Sequence, residues 1–278
     1  MSVQAFSAAN ASSGSSGSAT GSGASSSGNG SGSSSGGGIS GISGISGISS
    51  SSISISDPAT KVAIIGCGAL GLNYGTRLLE AQLQGANLDI NLVLRRDFEL
   101  VSQRGLLVEY GQPEEFKRSL RITPSQLQGQ AFSSPTQLGA LKGPMDWVLV
   151  CCKSNAITPD LRGSLLPLVS PTTRFLVVMN GIGVEEPFAQ WFGANRVFGA
   201  LSHTAANRGP NPPLPTLNTP ETLGAQETDA PLLVSVFLDH VLEIGHVDCP
   251  HRSAEAAALF KDTTIAPNVQ VSPLLLAR

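Results

Sequence analysis

The first 56 residues contain no charged side chain and no proline, and Ser (24) and Gly (13) supply 37 of them. Such a stretch cannot bury enough apolar surface to offset its chain entropy. Residues 1–58 are therefore predicted to form a disordered low-complexity tail. Cysteine is scarce in the whole chain, with four in 278 residues, unevenly placed, which excludes a secreted disulfide scaffold. Basic clusters are absent and the net charge is −3, so no nucleic-acid partner is expected. No stretch approaches the ~18–20 consecutive apolar residues of a membrane-spanning helix, and no membrane partner is expected. The N-terminus lacks both the basic leader and apolar core of a secretory signal and the arginines of an organellar transit peptide, which leaves the cytoplasm as the expected compartment.

Within the tail, Gly-Ile-Ser recurs from Ile39 to Ser49 with a period too short for a solenoid unit. Gly32-Ser33-Ser34-Ser35-Gly36 matches a nucleophile elbow by chance, because no strand precedes it and no helix follows. All charges and all 18 prolines lie from Asp57 onward. The roughly 220 residues that remain suffice for one good core.

From Lys61 the chain alternates. Lys61–Gly66 is a short apolar run rich in β-branched residues and reads as a buried parallel strand. Residues 69–83 place Leu70, Tyr74, Leu78, Leu79 and Leu83 at the spacing of an amphipathic helix. Asp89–Leu94 is a second strand, which completes a βαβ unit. Further strands are predicted at 106–109, 147–152, 174–179 and 196–201, with a small one near 119–122. Helices are predicted at 98–104, near 158–168, at 185–192 and at 253–260. Residues 111–145 read as otherwise irregular, 207–231 as a long proline-rich loop and 232–244 as apolar. The implied fold class is α/β, a Rossmann-type doubly wound and mostly parallel sheet.

The sharpest motif is Gly66-Cys67-Gly68-Ala69-Leu70-Gly71, set between a strand and a helix. In that context Gly66 permits the tight turn, Gly68 lets the backbone approach a pyrophosphate, and Gly71 lets the helix pack close. Free amides at the helix start then face the phosphates. The end of the second strand selects the dinucleotide. An acidic residue there binds the ribose 2′-hydroxyl of NAD, whereas a cation suits the 2′-phosphate of NADP. Here Arg95-Arg96 stand 24 and 25 residues after Gly71, with Asp97 beyond them. Guanidinium groups bind phosphate through paired, charge-assisted hydrogen bonds, so NADP(H) is the expected cofactor and Arg95 its contact. Lys153 follows Trp147–Cys152 and Asn180 follows Arg174–Met179, both at strand ends on the edge where α/β sheets bind ligands. Lys153 can donate to ribose hydroxyls or to a substrate oxygen, and Asn180 can donate and accept.

These motifs, with DWVLVCCK at 146–153, MNGIGVEE at 179–186 and GALSHTAANRG at 199–209, resemble the ketopantoate reductase (2-dehydropantoate 2-reductase) family in order and spacing. The resemblance runs from about Lys61 to Leu201 and more loosely to Arg278. It implies NADPH-dependent reduction of a small 2-oxo acid, ketopantoate, to pantoate on the route to pantothenate and coenzyme A. By the same resemblance Gly66, Cys67, Gly68, Ala69, Leu70, Gly71 and Arg95 hold the cofactor, and Lys153 and Asn180 line the nicotinamide ribose and substrate cleft as the catalytic candidates. The family's second, all-helical domain begins near a tryptophan-lysine-leucine motif and supplies further substrate groups. Nothing here matches that motif, since Trp147 and Trp191 both lie earlier. The expected organisation is a tail (1–58), an NADP-binding domain (59–250) and a stub (251–278). The expectation for the chain alone is cofactor binding with weak or no turnover. The alternatives are a non-catalytic NADP(H)-binding fragment and a reductase of another 2-oxo acid. The oligomeric state is left open.

Weaker constellations carry less. His246, Cys249 and His251 fit no standard zinc spacing, and no metal site is expected. Ser202-His203 and Asp239-His240 suggest a Ser/His/Asp set only without the nucleophile elbow that such a set needs. Cys151 and Cys152 read as core thiols. Cys67, at a helix start, is the one whose pKa a helix N-terminus can lower.

Overall fold

The computed structural model describes residues 57–111, 118–209 and 230–272. The Ser/Gly-rich tail, its Gly-Ile-Ser repeat, the elbow-like match and most of the proline-rich loop lie outside the described residues. The strands, in chain order, are β1 (Thr60–Ile65), β2 (Leu88–Val93), β3 (Leu106–Tyr110), β4 (Arg118–Ile122), β5 (Ala131–Phe132), β6 (Trp147–Val150), β7 (Arg174–Val178), β8 (Val197–Arg208), β9 (Leu232–His246) and β10 (Val269–Val271). The helices are α1 (Ala69–Leu83), α2 (Phe98–Arg104), α3 (Pro135–Lys142), α4 (Pro159–Leu165), α5 (Glu186–Phe192) and α6 (Ser253–Ala257).

β1 is apolar on both faces. Val62 and Ile64 enter one core cluster, while Ala63 and Ile65 enter the other. A strand can do this only inside a sheet covered on both sides, which is the setting of parallel α/β sheets. β6 and β7 repeat the pattern with Val148, Val150, Phe175 and Val177 on one side and Leu149, Leu176 and Val178 on the other. Each such side chain contributes about 1.5–3 kcal/mol on burial. The sheet runs β4-β3-β9-β8-β7-β6-β1-β2-β5, with β10 also on β9. Pairing is parallel except between β3 and β4 and between β8 and β9. The Rossmann-type α/β fold read from the sequence is what the chain adopts.

Three elements differ from the sequence reading. The polar 111–145 stretch contains α3, started by Pro135 and by Ser134, whose Oγ accepts the Gln137 N–H at 3.1 Å. Only Leu138 of this helix is buried, so no apolar stripe announces it. The apolar 232–244 stretch is β9, the antiparallel partner of β8. α1 is not amphipathic in the ordinary way, because residues 71–79 are all buried, including Asn73, Thr76 and Arg77. Thr76 bonds the Leu72 carbonyl of its own helix and Asn73 accepts from Arg77, while β8 and β9 supply partners to Tyr74 and Arg77. The Tyr74 hydroxyl bonds Ser202 at 2.7 Å, and Arg77 pairs with Asp239. Leu83, expected on the apolar stripe, is 45% exposed.

Candidate functional site

The turn from β1 into α1 is built by glycines that serve different ends. Gly66 has φ +85°, which only glycine adopts freely, and a Cβ there would meet the Cys152 backbone nitrogen at 2.5 Å. A Cβ on Gly71 would meet the Gly66 carbonyl oxygen at 2.3 Å. Both glycines are therefore required by the protein's own packing. Gly68 is not, since its φ is −77° and a Cβ there would meet nothing within 4 Å. The open space beside Gly68 is the cleft itself. A missing side chain that no protein contact demands is what a closely approaching ligand backbone or phosphate would require.

No side chain caps α1, and its first turn contains no acidic residue. The free first-turn amides of Ala69 and Leu70 are thus left without a side-chain acceptor, and the positive end of the helix faces the turn. Beneath the turn, Cys67 is 6% exposed, and its Sγ lies 3.4 Å from the Ile64 carbonyl oxygen. Burial pushes the Cys67 thiol up to about 12 and the Cys151 thiol well above its usual value. The lowering expected from the sequence is reversed, because desolvation of a thiolate outweighs the helix terminus.

A 470 Å³ cleft joins Gly66, Cys67 and Gly68 to Arg95 and Lys153 at the carboxyl ends of β1, β2 and β6. Arg95 is the one non-glycine residue with positive φ (+52°) among the described residues. A left-handed backbone costs such a residue on the order of 1–3 kcal/mol and persists where surrounding structure holds it. Arg95 and Lys153 are both exposed, and among the described residues neither side chain has a hydrogen-bond or ion-pair partner. A second cavity of 670 Å³ shares Gly66, Val93, Arg95 and Cys152 with the cleft and extends to Ser134 and Thr158, the caps of α3 and α4. Arg95 lies on both, while the other cations, Arg96, Lys153 and Arg208, line the first cleft.

The structure thus brings Gly66, Cys67, Gly68, Arg95 and Lys153 into one cleft. Ala69, Leu70 and Gly71 form the helix start behind it. Asn180 is exposed on the loop after β7, beside Gly181 (φ +140°) and Gly183 (φ +70°), and lines neither cavity. Sequence reasoning missed Arg208, which ends β8 and also lines the cleft, bonded to Asp97 at 2.7 Å. No local signal announces it, because the pair spans 111 residues. The residues of the Ser/His/Asp set are otherwise engaged: Ser202 with Tyr74, Asp239 with Arg77, and His203 with Glu243 at 3.5 Å. Among the described residues no group of three or more His, Cys, Asp or Glu could hold a metal ion. No helix among them is long and apolar enough to cross a membrane.

Comparison with known proteins follows the same residues. A family model described as "Ketopantoate reductase PanE/ApbA" matches residues 62–212. The 2-dehydropantoate 2-reductase of Nostoc sp. (strain PCC 7120) is 33% identical over 150 residues, which is 53% of this chain and 40% of that protein. The crystal structure of 2-dehydropantoate 2-reductase from Geobacter metallireducens GS-15 has a TM-score of 0.56 at 27% identity, covering 76% of this chain and 57% of that one. D-mandelate dehydrogenase, solved with NADH and anilino(oxo)acetate, has a TM-score of 0.54 at 15% identity, covering 78% of this chain and 58% of that one, a likeness of fold. The chain spans less than two-thirds of the length of each.

Proposed function

This chain belongs to the ketopantoate reductase (PanE/ApbA) family, and from that premise we propose that its carboxyl-edge cleft binds NADP(H) and serves the reduction of 2-dehydropantoate to pantoate, a step towards pantothenate and coenzyme A. The observation that carries the reading is Gly68, a glycine that nothing in the protein requires, placed opposite an unpaired arginine held in a strained backbone. In this reading the turn amides and the α1 dipole take the pyrophosphate. The Arg95 guanidinium takes the 2′-phosphate through two parallel N–H donors. Lys153 donates to a ribose hydroxyl or to the substrate oxygen, and Asn180, which lines neither cavity, would have to reach the substrate from the loop after β7.

Bound NADPH would supply a hydride to the 2-oxo carbon, and the oxygen that becomes the alkoxide needs a donor. Lys153 and Asn180, the donors this chain offers, are both exposed to water. A donor is worth most where water is excluded, so turnover by the 278-residue chain is expected to be slow relative to its binding. Fluorescence titration of that chain with NADPH and NADH tests the reading. Preferential binding of NADPH supports it, and binding of neither dinucleotide ends it. The fold shared with D-mandelate dehydrogenase favours one second reading, a related reductase acting on another 2-oxo acid. Following NADPH absorbance over a panel of 2-oxo acids separates the two.

A further inference from the structure

Arg208 is the last residue of β8 and enters the cleft from a strand pair that has no part in the glycine turn. Its Nη2 donates to Asp97 Oδ1 at 2.7 Å, while its Nε is buried and has no partner among the described residues. Asp97 stands at the N-cap position of α2, yet its carboxylate does not cap that helix. It is committed to Arg208 instead, with Arg96 at a looser 3.8 Å. The side chains are 24% and 13% exposed, so the pair is neither a solvated surface contact nor a sealed one. Asp97 and Arg208 both act electrostatically on the Cys67 thiol, the middle of the glycine turn, which sets the pair beside the turn.

We infer that Arg208 is a second phosphate-binding guanidinium of this cleft, holding the pyrophosphate of the dinucleotide, and that Asp97 is the counter-charge that keeps it aimed there. This rests on the cleft being a dinucleotide site. A guanidinium has five N–H donors in a rigid fork, and Asp97 leaves the Nε donor unpaired. A phosphate oxygen can take a charge-assisted bond from the fork's donors that Asp97 leaves free, and reaches the buried Nε once the guanidinium turns towards the cleft. Arg95 belongs to a phosphate that only NADP(H) carries, whereas the pyrophosphate is common to both dinucleotides. The two arginines therefore have separate roles, with Arg208 giving affinity and Arg95 giving choice. Asp97 also places a negative charge near the diphosphate, so its removal acts in the opposite direction from removal of Arg208.

Titration of the full chain and its variants with NADPH, NADH and ADP-ribose reads this separation. ADP-ribose carries the pyrophosphate without a nicotinamide or a 2′-phosphate. Arg208→Gln is expected to weaken all three ligands by a similar factor, about 10- to 100-fold. Asp97→Asn, which keeps an oxygen to accept from Nη2 but removes the negative charge, is expected to leave them unchanged or tighter. Arg208→Lys, which keeps the charge without the fork, is expected to fall between and covers the case in which the glutamine variant does not fold. Equal weakening by Arg208→Gln and Asp97→Asn would mean that the pair merely shapes the loop, and would overturn the inference. So would a loss confined to NADPH, which would move the guanidinium to the 2′-phosphate. Wild-type binding with Arg208→Gln unchanged overturns this inference alone. Wild type binding neither NADPH nor NADH removes the underlying reading and this inference with it.

Discussion

Cavities open at both ends of the central strands, and what separates the two ends is their charge. At the amino ends of β1, β6 and β7 a 750 Å³ hollow is lined by three cations and three carboxylates: Lys61, Arg174 and Lys261 with Asp146, Glu255 and Asp262. These charges are answered locally. Arg174 lies 3.6 Å from Glu255, Lys261 lies 4.0 Å from Asp262, and Lys61 Nζ donates to the Lys142 carbonyl oxygen at 2.8 Å. At the carboxyl ends the 470 Å³ cleft gathers four cations, Arg95, Arg96, Lys153 and Arg208, against the single carboxylate of Asp97. Volume does not separate the two ends, since the carboxyl end also holds the 670 Å³ cavity, but charge left without a partner does. The second criterion carries the chemistry, because strand carboxyl ends and helix amino ends converge there.

The largest effects are expected at the glycine turn. Gly66→Ala is expected to destabilise the fold by about 2–4 kcal/mol, since it sets a Cβ against backbone in a left-handed residue. Gly68→Ala should melt within a few degrees of wild type and still lose about tenfold or more in NADPH affinity. Paired thermal melts and titrations check both, and equal destabilisation would mean that the protein itself needs Gly68. Next comes Arg95→Gly. It is expected to cost NADPH about 30- to 100-fold with NADH nearly unchanged. Stability should shift by less than about 1 kcal/mol, because relief of the left-handed strain offsets the added freedom of the unfolded chain.

A smaller effect belongs to His246, which is 2% exposed, with Nδ1 accepting backbone N–H groups of Asp248 and Cys249 at 3.1 and 2.9 Å. Burial first, and then the Arg252 charge, lower its pKa. The unfolded chain, with an imidazole near the usual ~6.5, holds more protons around that pH, so stability rises with pH through this window. It is fully present above about 6.5 and is lost as pH falls through the lower folded value. Melting temperatures from pH 7.5 to 5 should fall for wild type, and less steeply for His246→Asn. Glu255, lowered by its bond to Arg252, acts only in a more acid window. The smallest effect is expected at the amino-end hollow, where Arg174→Gln should change stability by under about 0.5 kcal/mol and leave NADPH binding untouched. A loss of binding there would reverse the ranking of the two ends.

What could be read from the chain follows how local each cause is. The β1-turn-α1-β2 unit was legible because continuous apolar strands, a glycine triplet and a strand-ending arginine are near neighbours in sequence. Lys153 was legible for the same reason, since it directly follows a strand too apolar to be anything but buried. α3 was hidden because it buries a single leucine and owes its start to Ser134 and Pro135 rather than to an apolar stripe. The strand character of Leu232–His246 was hidden because apolar runs do not declare a partner, and β9 takes its register from β8 across the proline-rich segment. The burial of Arg77 depends on Asp239, 162 residues away, and Arg208 depends on Asp97. Pairings of that range leave no trace in spacing or composition.

The floor of the cleft is sulfur, with Cys67 and Cys151 fully enclosed and Cys152 half-buried at the edge. Were either thiol to ionise, it would set an anion beneath the cations that line the cleft. Because burial holds both protonated far into the alkaline range, the pocket keeps its positive field, and oxidants, which attack thiolates, find little to react with. A slow alkylating reagent should therefore mark the half-buried Cys152 and Cys249 first and leave the pair beneath the turn for last.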